Sequence, residues 1–183
     1  MKYSFFKIIV SFSLLTVSLS CSSDLNFNQA SDLNVQPVFT TNLAYFEAKS
    51  TVFVKNGVER PFYSYTSNVN FFTSSFIEKD LVKADMYFRI KNTIARAYVL
   101  NVTFLDKRGR AIYTIPPMNV SASNGTEILF ERTEIFSGAN VGILKSAIEM
   151  VFSIEMLAGP PLTATSAGRV ELSSSITAYF DVK

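Results

Sequence analysis

The chain has 183 residues, of which 17% are charged and 14% aromatic, the aromatic share being 17 Phe and 8 Tyr with no Trp. It carries no His and a single Cys, which sets aside Ser-His and Cys-His nucleophile pairs, imidazole and cysteine metal centres, and internal disulfides. The formal charge of +2 resides in Lys2 and Lys7, so the chain from Cys21 onward is formally neutral and lacks the clustered basic excess of a nucleic-acid footprint.

Lys2 and Lys7 flank the start of an apolar run, IIVSFSLLTVSL, that ends just before Ser20 and Cys21. A cationic start followed by about a dozen apolar residues is the secretory signal pattern, and it is too short for the roughly 20 residues of a membrane-spanning helix. The segment resembles the signal of bacterial lipoproteins, whose lipobox ends in a small residue and then the cysteine that receives diacylglycerol. Ser20 and Cys21 match those two positions, while Ser18 and Leu19 stand in the reverse of the usual order. Ser18 and Ser20 also satisfy the small-x-small rule for ordinary signal cleavage, which would cut the same bond and leave a free thiol. The resemblance implies an exported protein acylated at Cys21 and held on a membrane through that lipid. Ser22, next to the cysteine, implies sorting to the outer membrane. Residues 1–20 are then the signal peptide, and the polar, turn-rich stretch 21–35 is a flexible tether for a folded domain over 36–183.

Within that domain the dominant period is two. In RVELSSSITAYFDVK, Val170, Leu172, Ser174, Ile176, Ala178, Phe180 and Val182 share one face, a half-buried C-terminal strand. Met86, Phe88 and Ile90 form a second such face, Tyr98 to Phe104 a third, and Ile148 to Met156 a fourth. Further strands are predicted over 37–46, 51–55, 111–115 and 126–132, with a hairpin connection at Asp106–Gly109. SSFIEKDLV and SGANVGILKSAIE break the period and read as short connecting helices, with Ser74 or Ser75 and Ser137 at N-cap positions. The prediction is all-β, an immunoglobulin-like antiparallel β-sandwich of seven or eight strands, with a small closed barrel as the alternative. The pattern is similar to that of small exported lipoproteins with an immunoglobulin-like or late-embryogenesis-abundant-type sandwich, many of them uncharacterised.

Three groups are candidate ligand contacts. Tyr63 and Tyr65 lie in RPFYSYTSNVNFFTSSF, where rings interleaved with hydroxyl and amide side chains suit sugar stacking or else cover a sheet edge. Lys107, Arg108 and Arg110 in DKRGR form the local basic cluster, fitted to anionic lipid or polysaccharide or simply solvated. Pro160 and Pro161 stiffen the uncharged loop AGPPLTATSAG. Glu127, Glu131 and Glu134 are the carboxylates that His-free glycoside hydrolysis would need, and as alternating strand residues they read as solvated charges. The sequons at Asn101, Asn119 and Asn124 read as coincidence in a chain rich in Asn, Ser and Thr. Neither a calcium loop nor a glycine-rich phosphate loop occurs, so no cofactor, metal or catalytic residue is expected. The sequence therefore points to a non-enzymatic envelope lipoprotein that binds or helps assemble another envelope component, protein or glycan. The alternatives are a carboxylate-dependent glycan hydrolase and a structural module that augments a partner's sheet.

Overall fold

The computed structural model describes residues 35–182, so the expected signal peptide and Cys21 lie outside the described residues, as does the expected tether apart from Val35. The period-two segments form two separate antiparallel sheets packed face to face, an open sandwich rather than a closed barrel. The strands are β1 (Val38–Lys49), β2 (Val54–Lys55), β3 (Val58–Glu59), β4 (Phe62–Asn68), β5 (Leu81–Asn92), β6 (Tyr98–Leu105), β7 (Ala111–Val120), β8 (Ile128–Ser137), β9 (Glu149–Met156) and β10 (Arg169–Phe180). One sheet has the order β1-β10-β5-β8 and the other β4-β9-β6-β7, with β2-β3 a small separate hairpin. The antiparallel pairs β1/β10, β4/β9, β5/β8 and β6/β7 are nested one inside the next and alternate between the sheets, which is the strand order of a jelly roll.

Alternation fills the space between the sheets as the sequence predicts. Phe88, Leu172 and Phe46 on one sheet and Phe104, Val102 and Phe152 on the other are all buried. β1 changes phase once: a bulge between Asn42 and Ala44 inserts Leu43, so Phe39 and Thr41 before it and Ala44, Phe46 and Ala48 after it all face inward.

Several predicted elements are longer or differently shaped. β7 runs on through Pro116 and Pro117, which a strand tolerates here because β7 is an edge strand and the ladder to β6 shifts register around Asn101. β8 extends to Ser137 although Arg132 and Glu134 point inward. They pair with each other at 2.7 Å, Arg132 donates to the Pro116 carbonyl, and Tyr113 donates to Glu134, so the open side between β7 and β8 is closed by polar bonds. The strand expected over 51–55 begins instead as a 3-10 turn, Ser50–Phe53, that buries Phe53 and leads into an Asn56-Gly57 turn with both φ values positive. β4 was not among the predicted strands. It is the edge of its sheet, with Tyr63 and Tyr65 on its inner side.

The helices are α1 (Ser75–Asp80), preceded by a 3-10 turn over Asn70–Thr73, and α2 (Val141–Ser146). Ser74 occupies the N-cap of α1, but neither it nor Ser137 caps through its side chain. The strand directions put both helices, the β6–β7 turn and the Val35–Val182 bridge at one end of the sandwich. The β2–β3 hairpin and the loops 93–97, 121–127 and 157–168 occupy the opposite end.

That opposite end is organised by Arg96, which is 5% exposed. Its guanidinium pairs with Glu59 at 3.0 Å and donates to the carbonyls of Leu157, Gly159 and Pro160. Glu59 in turn accepts from the Leu162 backbone N–H at 2.6 Å. Gly159 lies close beneath this charge: a Cβ there would sit 2.9 Å from the Arg96 side chain, so a larger residue must displace Arg96. Arg96→Met is expected to destabilise the fold by about 3 kcal/mol and lower the thermal midpoint by roughly 10 °C. Arg89→Met, in an exposed pair at 3.9 Å, is expected to change stability by less than about 1 kcal/mol. Calorimetry of the two variants checks the contrast.

Candidate functional site

The DKRGR segment forms the β6–β7 hairpin turn, closed by Gly109 N–H donating to the Asp106 carbonyl at 2.8 Å, with Gly109 at φ +70°. Asp106 organises it. One carboxylate oxygen accepts the backbone N–H groups of Arg108 (2.8 Å) and Arg110 (3.0 Å), and the other accepts Nε and Nη2 of Arg110 at 2.9 and 2.7 Å. The Arg110 side chain, helped by these backbone donors, holds the Asp106 carboxyl down at about 2. Arg110 is thereby neutralised, while Lys107 and Arg108 are exposed and make no ion pair among the described residues.

The turn forms one wall of a cleft of about 550 Å³. α1 supplies Glu78 and the residues before it Thr73, while α2 supplies Lys145 and Ser146. Lys145 Nζ donates to the Glu78 carbonyl at 2.6 Å, tying one helix to the other. The cleft thus gathers Lys107, Arg108, Arg110 and Lys145 against Asp106 and Glu78, an excess of two positive charges on a domain otherwise near neutrality. Such a site can hold an anionic group by charge-assisted hydrogen bonds from Lys107, Arg108 and Lys145. It offers no nucleophile–base pair for covalent chemistry, and no group of three or more acidic or thiol side chains able to hold a metal occurs among the described residues.

The other sequence candidates lie elsewhere. Tyr63 and Tyr65 are half-buried, with ring centroids 6.0 and 4.9 Å from that of Phe46, and Tyr65 lies 6.2 Å from Phe152. They close the open side of the sandwich between β1 and β4, where Ser67 also donates to the Leu43 carbonyl. Tyr65 borders a separate cleft of about 390 Å³ at the β1 bulge. Pro160 and Pro161 are exposed at the Arg96 end, and the Pro160 carbonyl is held by Arg96 at 2.6 Å. The structure therefore joins Lys107, Arg108 and Arg110 in one site and sets the tyrosines and prolines apart from it. The glutamates do not converge: Glu127 pairs with Lys91 at 3.1 Å, Glu131 accepts the Tyr87 hydroxyl on the outer face, and Glu134 points inward to Arg132. Sequence reasoning missed Glu78 and Lys145, for which no local pattern exists, because only packing of α1 beside α2 brings them to the turn.

The described residues thus form an eight-stranded antiparallel β-sandwich of jelly-roll order with a cation-lined cleft at its helix-bearing end. No family model matches the sequence, and no curated protein matches it. Similar solved structures include the VP2 subviral particle of infectious bursal disease virus, at 11% identity and TM-score 0.40 over 80% of this chain and 33% of that one. The enzymatically active domain of tailspike protein 4 from bacteriophage CBA120 is 12% identical with TM-score 0.34, over 80% of this chain and 19% of that one. Desmodium yellow mottle tymovirus is 6% identical with TM-score 0.34, over 81% and 90%. The chain spans about a third of the length of the VP2 chains it matches.

The Asp106 contacts carry a pH signature. A carboxyl lowered from 3.8 to about 2 on folding contributes stability that is fully present above the unfolded value and is lost as pH falls from about 4 through about 2. Asp106→Asn is expected to lower the urea midpoint at pH 7, and the gap from wild type should close steadily below pH ~4. A gap unchanged at pH ~2 would mean that Asp106 ionisation does not hold the turn.

Proposed function

We propose that the protein is an exported, lipid-anchored, non-enzymatic binding module of the cell envelope, acylated at Cys21, that recognises an anionic group of another envelope component, glycan or protein. The observation that carries the binding half of this reading is the cleft itself: Lys107 and Arg108 stand exposed beside Lys145, and the nearest fixed carboxylate, Asp106, is already engaged by Arg110. The lipobox-like Ser20-Cys21 junction supports the anchoring half. The outer membrane is the location that Ser22 favours. Removal of the first twenty residues leaves a formally neutral protein, so a local cation cluster would act without competition from a strong global field.

Two measurements test the two halves separately. Mass analysis of the mature N-terminus is expected to show diacylglyceryl on Cys21, and a bare cysteine there would refute the anchor. Titration with oligogalacturonate, an acidic glycan, is expected to show binding that weakens about five- to tenfold when Lys107 and Arg108 are both changed to Gln, since each exposed pair is worth up to about 1 kcal/mol. Equal affinity of wild type and variant would refute the cleft as the anion site.

A further inference from the structure

The cleft does not stand alone at its end of the molecule. On the other side of the segment 70–80 lies an apolar groove of about 290 Å³, floored by Ile176, Ala178 and Leu81 and rimmed by Phe39, Phe71 and Phe76. It exists because β4 ends at Asn68 while β1 and β10 continue, so the inner face of the longer sheet is covered there only by the 3-10 turn and α1. The rim rings are unusually open for Phe: Phe39 is 57% exposed, Phe76 45% and Phe71 38%. Phe180 stacks on Phe76 at 4.8 Å and meets Phe39 edge-on at 5.7 Å, so the aromatic rim is a packed unit. Exposed Phe rings with Lys and Arg on the far side of one short helix give an end surface with an apolar half and a cationic half. Water solvates the first poorly, and an anionic bilayer satisfies both: rings enter the headgroup boundary while cations meet phosphates.

Chain direction agrees with that partner. Val35, the first described residue, bridges to Val182 at this same end. Thirteen residues separate Val35 from Cys21, and the fourteen steps, fully extended, reach at most about 50 Å. A lipid on Cys21 would therefore be joined to the domain through this end and not through the Arg96 end.

We infer that the helix-bearing end is a bilayer-docking face for anionic lipid, with Phe39, Phe71 and Phe76 inserting at the interface and Lys107, Arg108 and Lys145 contacting headgroup phosphates. This rests on the reading of the cleft as an anion site and goes beyond it in taking lipid phosphate, rather than a glycan or protein group, as the anion. The absence of Trp permits a clean test on the full chain. Phe76→Trp reports on the proposed face, and Phe62→Trp, 62% exposed at the start of β4, reports on the opposite end. Each is mixed with vesicles of phosphatidylglycerol and brominated phosphatidylcholine. Bromine is expected to quench Phe76→Trp strongly and Phe62→Trp little. Neutralising Lys107 and Arg108 together is expected to cut the docked-to-free ratio about 30-fold, each cation near an anionic surface being worth about fivefold.

Equal quenching of the two probes, or quenching of Phe76→Trp that is unchanged by the double neutralisation or by omitting phosphatidylglycerol, would overturn the inference. No quenching of Phe76→Trp, with oligogalacturonate binding still sensitive to Lys107 and Arg108, would overturn it and leave the anion-site reading standing. Loss of both responses would remove both. A concentration-dependent blue shift of Phe76→Trp without lipid quenching would identify a second copy of the chain as the occupant of the groove and would equally overturn bilayer docking.

Discussion

Two sheets of four strands each bury one face against the other, and every other feature of this protein is placed by that contact. With no disulfide available within the described domain, apolar burial and interlocking aromatic rings hold the sheets together; removing one large buried side chain such as Phe88 or Phe152 costs about 3–5 kcal/mol in such cores. Nested pairing makes the arrangement non-local, because β1 closes on β10 and β4 on β9. Folding must therefore bring distant segments together before the helix-bearing end acquires its shape.

The two open sides of the sandwich are closed by different chemistry. Between β1 and β4 the closure is aromatic, with Tyr63, Tyr65 and Phe46 in contact. Between β7 and β8 it is polar, with Arg132, Glu134 and Tyr113 spanning the sheets. Inward-pointing charge on an edge strand also discourages pairing with a foreign strand, which makes β8 a poor template for sheet augmentation. On the outer face of the first sheet, cations meet carboxylates strand by strand, as in Lys83–Asp85, Lys91–Glu127 and Arg169 with Glu47 and Glu171. The helix-bearing end differs: Asp106 engages Arg110, and Lys107 and Arg108 are left over.

The two ends are unlike in another respect. At one, Arg96 is buried and its Nε and Nη1 donate to Glu59 and loop carbonyls, so its charge fixes loop geometry. At the other, cations remain exposed beside Phe rings that are also exposed. Charge buried with partners specifies structure, and charge left in water remains free to bind.

Much of the sandwich was legible in the residues alone, because a strand with one face in a core must alternate, and Val170 to Phe180, Met86 to Ile90 and Tyr98 to Phe104 do so without interruption. The basic turn was legible too, since Asp106 and Gly109 act through local geometry. β4 was harder: its tyrosines alternate with Ser and Thr, a pattern shared by an exposed aromatic patch and by an edge strand, and only its pairing with β9 separates the two. The prolines of β7 and the charges of β8 hid the ends of those strands, since both are tolerated only at sheet edges, and edge position is a property of strand order. Composition and local periodicity determined the all-β class and the chemistry of the turn. Strand order, and with it the meeting of the turn, Glu78 and Lys145 beside the groove of Phe39, Phe71 and Phe76, was decided by tertiary structure, because those residues are neighbours only once the sheets have packed.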